Sequence, residues 1–159
     1  ATTDFAGVLT FAGGRVEAAG LLREGLVLAG LEQLELNLPG QDVGLRIAAG
    51  QAIQEPLTLR AGEYQVTAHG SLDLTTRQLD YWLTLPVTPK MCGDRPEIYQ
   101  LLKDETIRVH IAGDASRPKL AKDTYRDNLT RLLSTAAQRL LKDPGADLLR
   151  DLLKPKKKK

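Results

Sequence analysis

The fold is decided by residues 64–87, which read YQVTAHGSLDLTTRQLDYWLTLPV. Apolar and polar side chains alternate along residues 64–74, and the alternation resumes at residues 79–87 after a polar turn. Successive side chains of a strand point to opposite faces, so this pattern predicts an antiparallel hairpin. One face of the hairpin is apolar and the other is solvated.

The same two-residue period occurs on either side of this hairpin. From about Asp4 to Pro86, Gly, Asn, Pro and Gln interrupt it at roughly the spacing expected for short strands joined by turns. Gly13-Gly14 predicts a hairpin turn after the first strand. Further strands are predicted at residues 5–11, 15–22, 26–30, 32–38, 43–47, 57–60 and 106–111.

Helical patterns occur later in the chain. Residues 94–97 have the form of a capping box with Asp94 as the N-cap, which predicts a short helix inserted between two strands. From Tyr125 to Leu141, apolar residues recur at spacings of three and four, as on one face of a long helix. Asp143-Pro144-Gly145 ends that helix and is expected to begin a second C-terminal helix.

The composition is that of one globular domain, and we assign it to residues 1–153. A single cysteine excludes an internal disulfide, and 29 leucines against 12 Ile plus Val favour helices and broad apolar surfaces. Residues 154–159 are predicted to form a disordered basic tail, which could contact an anionic membrane surface. Its lysines are Lys154, Lys156, Lys157, Lys158 and Lys159.

The polar residues do not predict catalysis. His69, Ser71 and Asp73 lie two residues apart on one strand, whereas a catalytic triad needs side chains that converge from separate elements. Four carboxylates have positions that caps and turns explain, and glycine-rich phosphate-binding motifs are absent. These carboxylates are Asp94, Asp104, Glu105 and Asp114. We therefore expect no enzyme activity, no cofactor, no metal site and no nucleic-acid partner.

The stretch from Leu57 to Lys119 resembles the C-terminal region of the AsmA-like family of bacterial envelope proteins. The matching residues are Gly70-Ser71-Leu72-Asp73-Leu74, residues 79–86 and the strand from Ile107 to Gly113 that leads into Arg117-Pro118-Lys119. Two departures are the helix-containing insertion at residues 91–103 and the missing N-terminal membrane helix.

This resemblance implies a non-enzymatic, membrane-anchored protein at the periplasmic face of the envelope. Its repeated strands would form a long apolar groove that takes part in phospholipid traffic and outer-membrane biogenesis. It also implies that this chain is the C-terminal piece of a longer protein and that its partner is a phospholipid or another apolar lipid.

The residues lead to a compatible expectation. A curved sheet with a leucine-rich inner face must be covered or must bind something apolar. The side chains expected to line a lipid groove are Leu72, Leu74, Leu79, Tyr81, Leu83, Leu85, Ile107, Val109 and Ile111.

The predicted fold class is α+β, with a twisted, curved, mostly antiparallel sheet of about seven to nine strands, one inserted helix and two C-terminal helices. An alternative function remains open. The same sheet could have its apolar face fully closed by the helices and act as a structural scaffold or as a capping interaction module.

Overall fold

The computed structural model describes residues 4–142, which form nine strands and three α-helices. The strands are β1 (Phe5–Phe11), β2 (Gly14–Glu17), β3 (Glu35–Leu38), β4 (Gln41–Ala48), β5 (Gln51–Ala61), β6 (Tyr64–Asp73), β7 (Gln78–Pro86), β8 (Thr106–Asp114) and β9 (Lys119–Leu120). The helices are α1 (Gly20–Leu28), α2 (Pro96–Leu102) and α3 (Lys122–Lys142). The α+β class and the antiparallel sheet are therefore confirmed.

The sheet is open, and its main path runs β1-β4-β5-β6-β7-β8-β9 with every pairing antiparallel. β2 and β3 form a side branch that joins β5 at the pair Asn37 and Arg60. β4 pairs with the other end of β5, at residues 51–54. Where β4 leaves β5, the side-chain amide of Gln41 donates to the Thr58 carbonyl (2.7 Å) and accepts from the Thr58 N–H (2.9 Å). This side chain replaces one missing step of the backbone ladder.

The hairpin predicted from residues 64–87 is confirmed as β6 and β7. Leu72 lies opposite Leu79, and the alternation continues along both strands in that register. In the turn, the carboxylate of Asp73 accepts hydrogen bonds from the backbone N–H groups of Thr75 and Thr76. These bonds, first of all those from Thr76, lower the pKa of Asp73.

Helix α1 corrects the sequence prediction, which placed strands at residues 15–22 and 26–30. β2 ends at Glu17, and the following segment is helical. Its true period is 3.6, because Leu26 and Ala29 are fully buried whereas Val27 is 59% exposed.

The hairpin predicted at Gly13-Gly14 is also wrong, since β1 pairs with β4 and β2 pairs with β3.

Helix α2 confirms the inserted helix but not its predicted cap. The N-cap residue is Arg95, it makes no side-chain capping bond, and Pro96 stands in the first turn. Asp94 has a φ of 54°, a left-handed backbone conformation outside the helix. The helix starts because proline fixes a helical φ without needing an N–H partner, not because Asp94 caps it.

The three helices pack on one face of the sheet and form the core with it. Helix α1 approaches β7 closely, because a Cβ at Gly25 would lie 2.9 Å from Leu83 Cδ1. The Tyr125 hydroxyl on α3 donates to the Leu28 carbonyl on α1 (2.7 Å). The long C-terminal helix is thereby confirmed. The predicted second helix and the lysine tail at residues 154–159 lie outside the described residues.

Candidate functional site

The apolar face of the sheet extends beyond the helices that cover it. Residues opposite each other on paired strands share a face, so the registers of β1 and β4–β8 define this face residue by residue. No residue that these six strands place on it is charged. An uncharged face of this width either packs in a core or meets an apolar partner.

One part of this face lies under the helices, and we call it the covered part. It includes Val66, Leu85 and Val109, none of which is exposed at all. A second part lies on β1, β4 and the adjoining ends of β5 and β6, outside the cluster that packs around the helices. We call it the open apolar patch; its residues are Phe5, Leu9, Leu45, Ile47, Ala52, Leu72 and Leu74.

A continuous row of apolar side chains crosses the open apolar patch and ends at Leu79 on β7, so that it spans five strands. The registers pair Phe5 with Ile47, Ile47 with Ala52, Ala52 with Leu72 and Leu72 with Leu79. Four strand spacings of roughly 4.8 Å make this row about 19 Å long. The row is therefore long enough for an extended apolar chain to lie across the strands.

The exposure of these side chains is unusual for their size. Phe5 is 54% exposed, Leu9 is 49% exposed and Leu74 is 48% exposed, and the large side chains between them are half-buried. Leu74 continues the alternation of β6, because its N–H donates to the Gly50 carbonyl at the end of the strand pair. Contiguous exposed apolar side chains mark interaction surfaces more often than isolated ones do.

The nine predicted groove residues divide between the two parts of the face. Five of them are at most 6% exposed and belong to the core: Leu83, Leu85, Ile107, Val109 and Ile111. A ligand could reach these side chains only if the helices moved away. Leu72 and Leu74 belong to the open apolar patch, and the half-buried Leu79 and Tyr81 pack where the patch meets the core.

Sequence reasoning missed the contribution of β1 and β4 to the patch. Phe5, Leu9, Leu45 and Ile47 show the same alternation as the β6–β7 hairpin, so the signal for an apolar face was present. Alternation does not say which strands are neighbours, however. The β4–β5 and β5–β6 pairings bring Leu45 and Ile47 towards Leu72. Only the β1–β4 pairing, between segments thirty residues or more apart, adds Phe5 and Leu9.

The opposite face carries the polar residues. Trp82 stacks on His110 with ring centroids 4.3 Å apart, and His110 Nε2 lies 2.7 Å from Asp80 Oδ1. His69 is the cross-strand neighbour of Trp82, and its buried Nδ1 has no hydrogen-bond partner among the described residues. Asp80 is therefore the carboxylate that contacts a histidine on this face, and that histidine is His110.

The trio of His69, Ser71 and Asp73 is not assembled as a triad. The Asp73 carboxylate is engaged by the turn, so it does not orient His69. Asp114 has a similar local role, because its carboxylate accepts hydrogen bonds from the Ser116 hydroxyl and N–H. These bonds lower the pKa of Asp114, and the bond from the Ser116 hydroxyl contributes most.

Residues 4–142 contain neither a metal-binding cluster nor a membrane-spanning helix. Within that range, no three His, Cys, Asp or Glu side chains are grouped so that they could hold a metal ion. No helix in the same range combines the length and the apolarity needed to cross a bilayer.

The function of the open apolar patch is inferred from the geometry of the patch. The likeness to the AsmA-like family stays a prediction from the motif residues. Comparison of the chain with family models, curated proteins and solved structures finds no match.

Proposed function

We propose that the open apolar patch binds the acyl chain of a phospholipid or a similar lipid, without enzymatic chemistry. One observation carries this proposal: an uncharged row about 19 Å long, from Phe5 to Leu79, in an apolar patch where Phe5, Leu9 and Leu74 are about half-exposed. A lipid tail laid along this row would remove both surfaces from water.

The expected affinity is modest. Burying about six methylene groups at roughly 0.8 kcal/mol each contributes about 5 kcal/mol before the entropy cost of association. Without that cost, a free energy of this size corresponds to a dissociation constant of roughly 0.2 mM, which is the tightest binding that these contacts alone can give. Such a surface suits the transient holding of a lipid during its transfer better than permanent storage.

The biological setting we propose follows the sequence resemblance. A domain with this surface would act at the periplasmic face of the bacterial envelope, in a membrane-anchored protein that takes part in outer-membrane biogenesis. The proposal draws support from the hairpin motif at residues 70–86 and from the uncharged sheet face.

The test uses a phosphatidylcholine with a nitrobenzoxadiazole fluorophore on one acyl chain, self-quenched in vesicles. Extraction of the probe by the full chain should raise the fluorescence until about one probe is bound per protein. Leu74→Asp places a charge in the open apolar patch and should weaken extraction by tenfold or more. Leu74 is 48% exposed, so the variant should fold normally.

The matched control is Val27→Asp. Val27 is 59% exposed on α1, outside the open apolar patch, so the same kind of charge should leave extraction unchanged. Equal loss in both variants would show that general surface apolarity, not the patch, contacts the vesicle. No extraction by the wild-type chain would overturn lipid binding and favour the alternative of a structural or capping module.

A further inference from the structure

Strand β1 has one unpaired edge. It consists of Phe5-Ala6-Gly7-Val8-Leu9-Thr10-Phe11 and pairs with β4 over its whole length, without a bulge. Among the described residues, no segment pairs with its other edge. That edge therefore presents free backbone N–H and C=O groups beside apolar side chains on both faces, including Val8 at 64% exposure and Leu9 at 49%.

The other borders of the sheet are protected and β1 is not. β2 is only four residues long and carries Arg15 and Glu17. β9 has two residues, one of them Lys119, and α3 packs against β8 beyond it. Charge, short length and a covering helix are the usual devices against edge-to-edge pairing, and β1 has none of them.

We propose that β1 pairs antiparallel with β1 of a second copy of this chain. The strand is self-complementary, because a two-fold axis through Val8 pairs all seven of its residues. This register places Phe5 opposite the partner's Phe11 and Val8 opposite the partner's Val8. The strand contains no charged residue, so the pairing places no like charges opposite each other.

The register also keeps the two sheets in phase. A two-fold axis perpendicular to the sheet leaves each side chain on its original face. Opposed residues share a face, so each residue pairs with a partner whose number is odd or even like its own, and the apolar faces of the two copies stay on the same side. Gly7 then lies opposite the partner's Leu9, and the Phe5 ring already lies over Gly7 within each copy. The result is one continuous sheet across the dimer, and the proposal does not depend on lipid binding.

Sedimentation velocity of the full chain over a range of concentrations tests the association. The wild-type protein should pass from monomer to dimer as its concentration rises. Val8→Lys should weaken the dimer roughly tenfold or more, because the two new ammonium groups would face each other at the axis. Val27→Lys is the matched control at a similarly exposed valine on α1 and should leave the association unchanged.

Disulfide trapping tests the register. Val8→Cys should form an intermolecular disulfide on mild oxidation, because directly opposed residues of a strand pair lie within disulfide range. The natural Cys92 is buried, and burial raises its pKa, so it should compete poorly. Val27→Cys should form markedly less of the cross-linked species.

Either of two results would overturn the proposal. One is a wild-type chain that remains monomeric up to about 1 mM. The other is a dimer that Val8→Lys does not weaken and Val8→Cys does not trap, which would place the contact elsewhere. Leu74→Asp should weaken lipid extraction by tenfold or more and leave the dimer intact, so the two proposals can fail separately.

Discussion

The two ends of strand β6 have the same pattern and different surroundings. Val66 is fully buried beneath the helices, whereas Leu72, on the same face six residues later, is half-buried at the edge of the open apolar patch. The two positions are separated by about 20 Å of extended chain. Strand alternation therefore fixes which face a residue occupies, but the helices decide whether that residue becomes core or surface.

The largest difference between the two parts should appear in stability. Leu85→Ala removes a fully buried side chain in the covered part and should lower the free energy of unfolding by about 3 kcal/mol. Leu9→Ala shortens a side chain that is already 49% exposed and should cost less than about 1 kcal/mol. Urea denaturation of both variants measures the contrast. Similar costs would mean that the open apolar patch is part of the core.

A glycine at the boundary between the two parts should show an intermediate effect. A Cβ at Gly70 would collide with the Asp80 carbonyl oxygen and with the ring of Tyr81, which lies across Gly70 from the neighbouring strand. Gly70→Ala should therefore destabilise the protein by about 1–3 kcal/mol, because backbone must shift. Thermal or urea unfolding measures this loss.

Gly14→Ala is the control for that substitution. A Cβ at Gly14 would meet nothing within 4 Å, and the residue also lies in a strand. We expect its effect to stay within about 0.5 kcal/mol. If both alanines cost the same, the close approach of Tyr81 and the Asp80 carbonyl to Gly70 would not be the cause of the loss.

The sequence predicts most elements of this fold, but it predicts neither α1 nor the pairing of β1. The β6–β7 hairpin, β8, α2 and α3 all carry strong local patterns, and the structure confirms them. The sequence predicts strands where α1 lies, since the leucines of this segment suit both a period of two and one of 3.6. Only the burial pattern, with Leu26 buried and Val27 exposed, distinguishes the two periods. The β1–β4 pairing could not be predicted, because no local signal identifies a strand neighbour thirty residues away.

Prediction of the candidate site is also limited by contacts between residues distant in sequence. Alternation correctly identified residues of one apolar face, but five of the nine chosen positions lie beneath helices. Choosing between Leu72 and Leu83 requires knowing where α1 packs, which depends on contacts distant in sequence. Phe5 and Ile47 could have been included only by treating every alternating strand as a candidate.

The smallest expected effect is a loss of stability at alkaline pH, caused by Tyr64 at the covered end of β6. Tyr64 packs against the core cluster there, and burial, followed by a hydrogen bond to Tyr99, raises its pKa to about 12. An unfolded tyrosine titrates near pH 10, so the unfolded chain loses this proton first as the pH rises. The stabilisation from Tyr64 is therefore complete below about pH 10 and is lost between about pH 10 and 12.

Alkaline titration followed by tyrosinate absorbance, combined with urea unfolding at each pH, measures this loss. Tyr99→Phe removes one cause of the shift and should lower the apparent pKa of Tyr64. Burial also raises the pKa of Tyr125, a residue of α3, which should not respond to the substitution and so serves as the internal control. A titration that Tyr99→Phe leaves unchanged would mean that desolvation alone protects Tyr64. The covered part would then exclude water around Tyr64 without a contribution from the Tyr99 hydroxyl on α2.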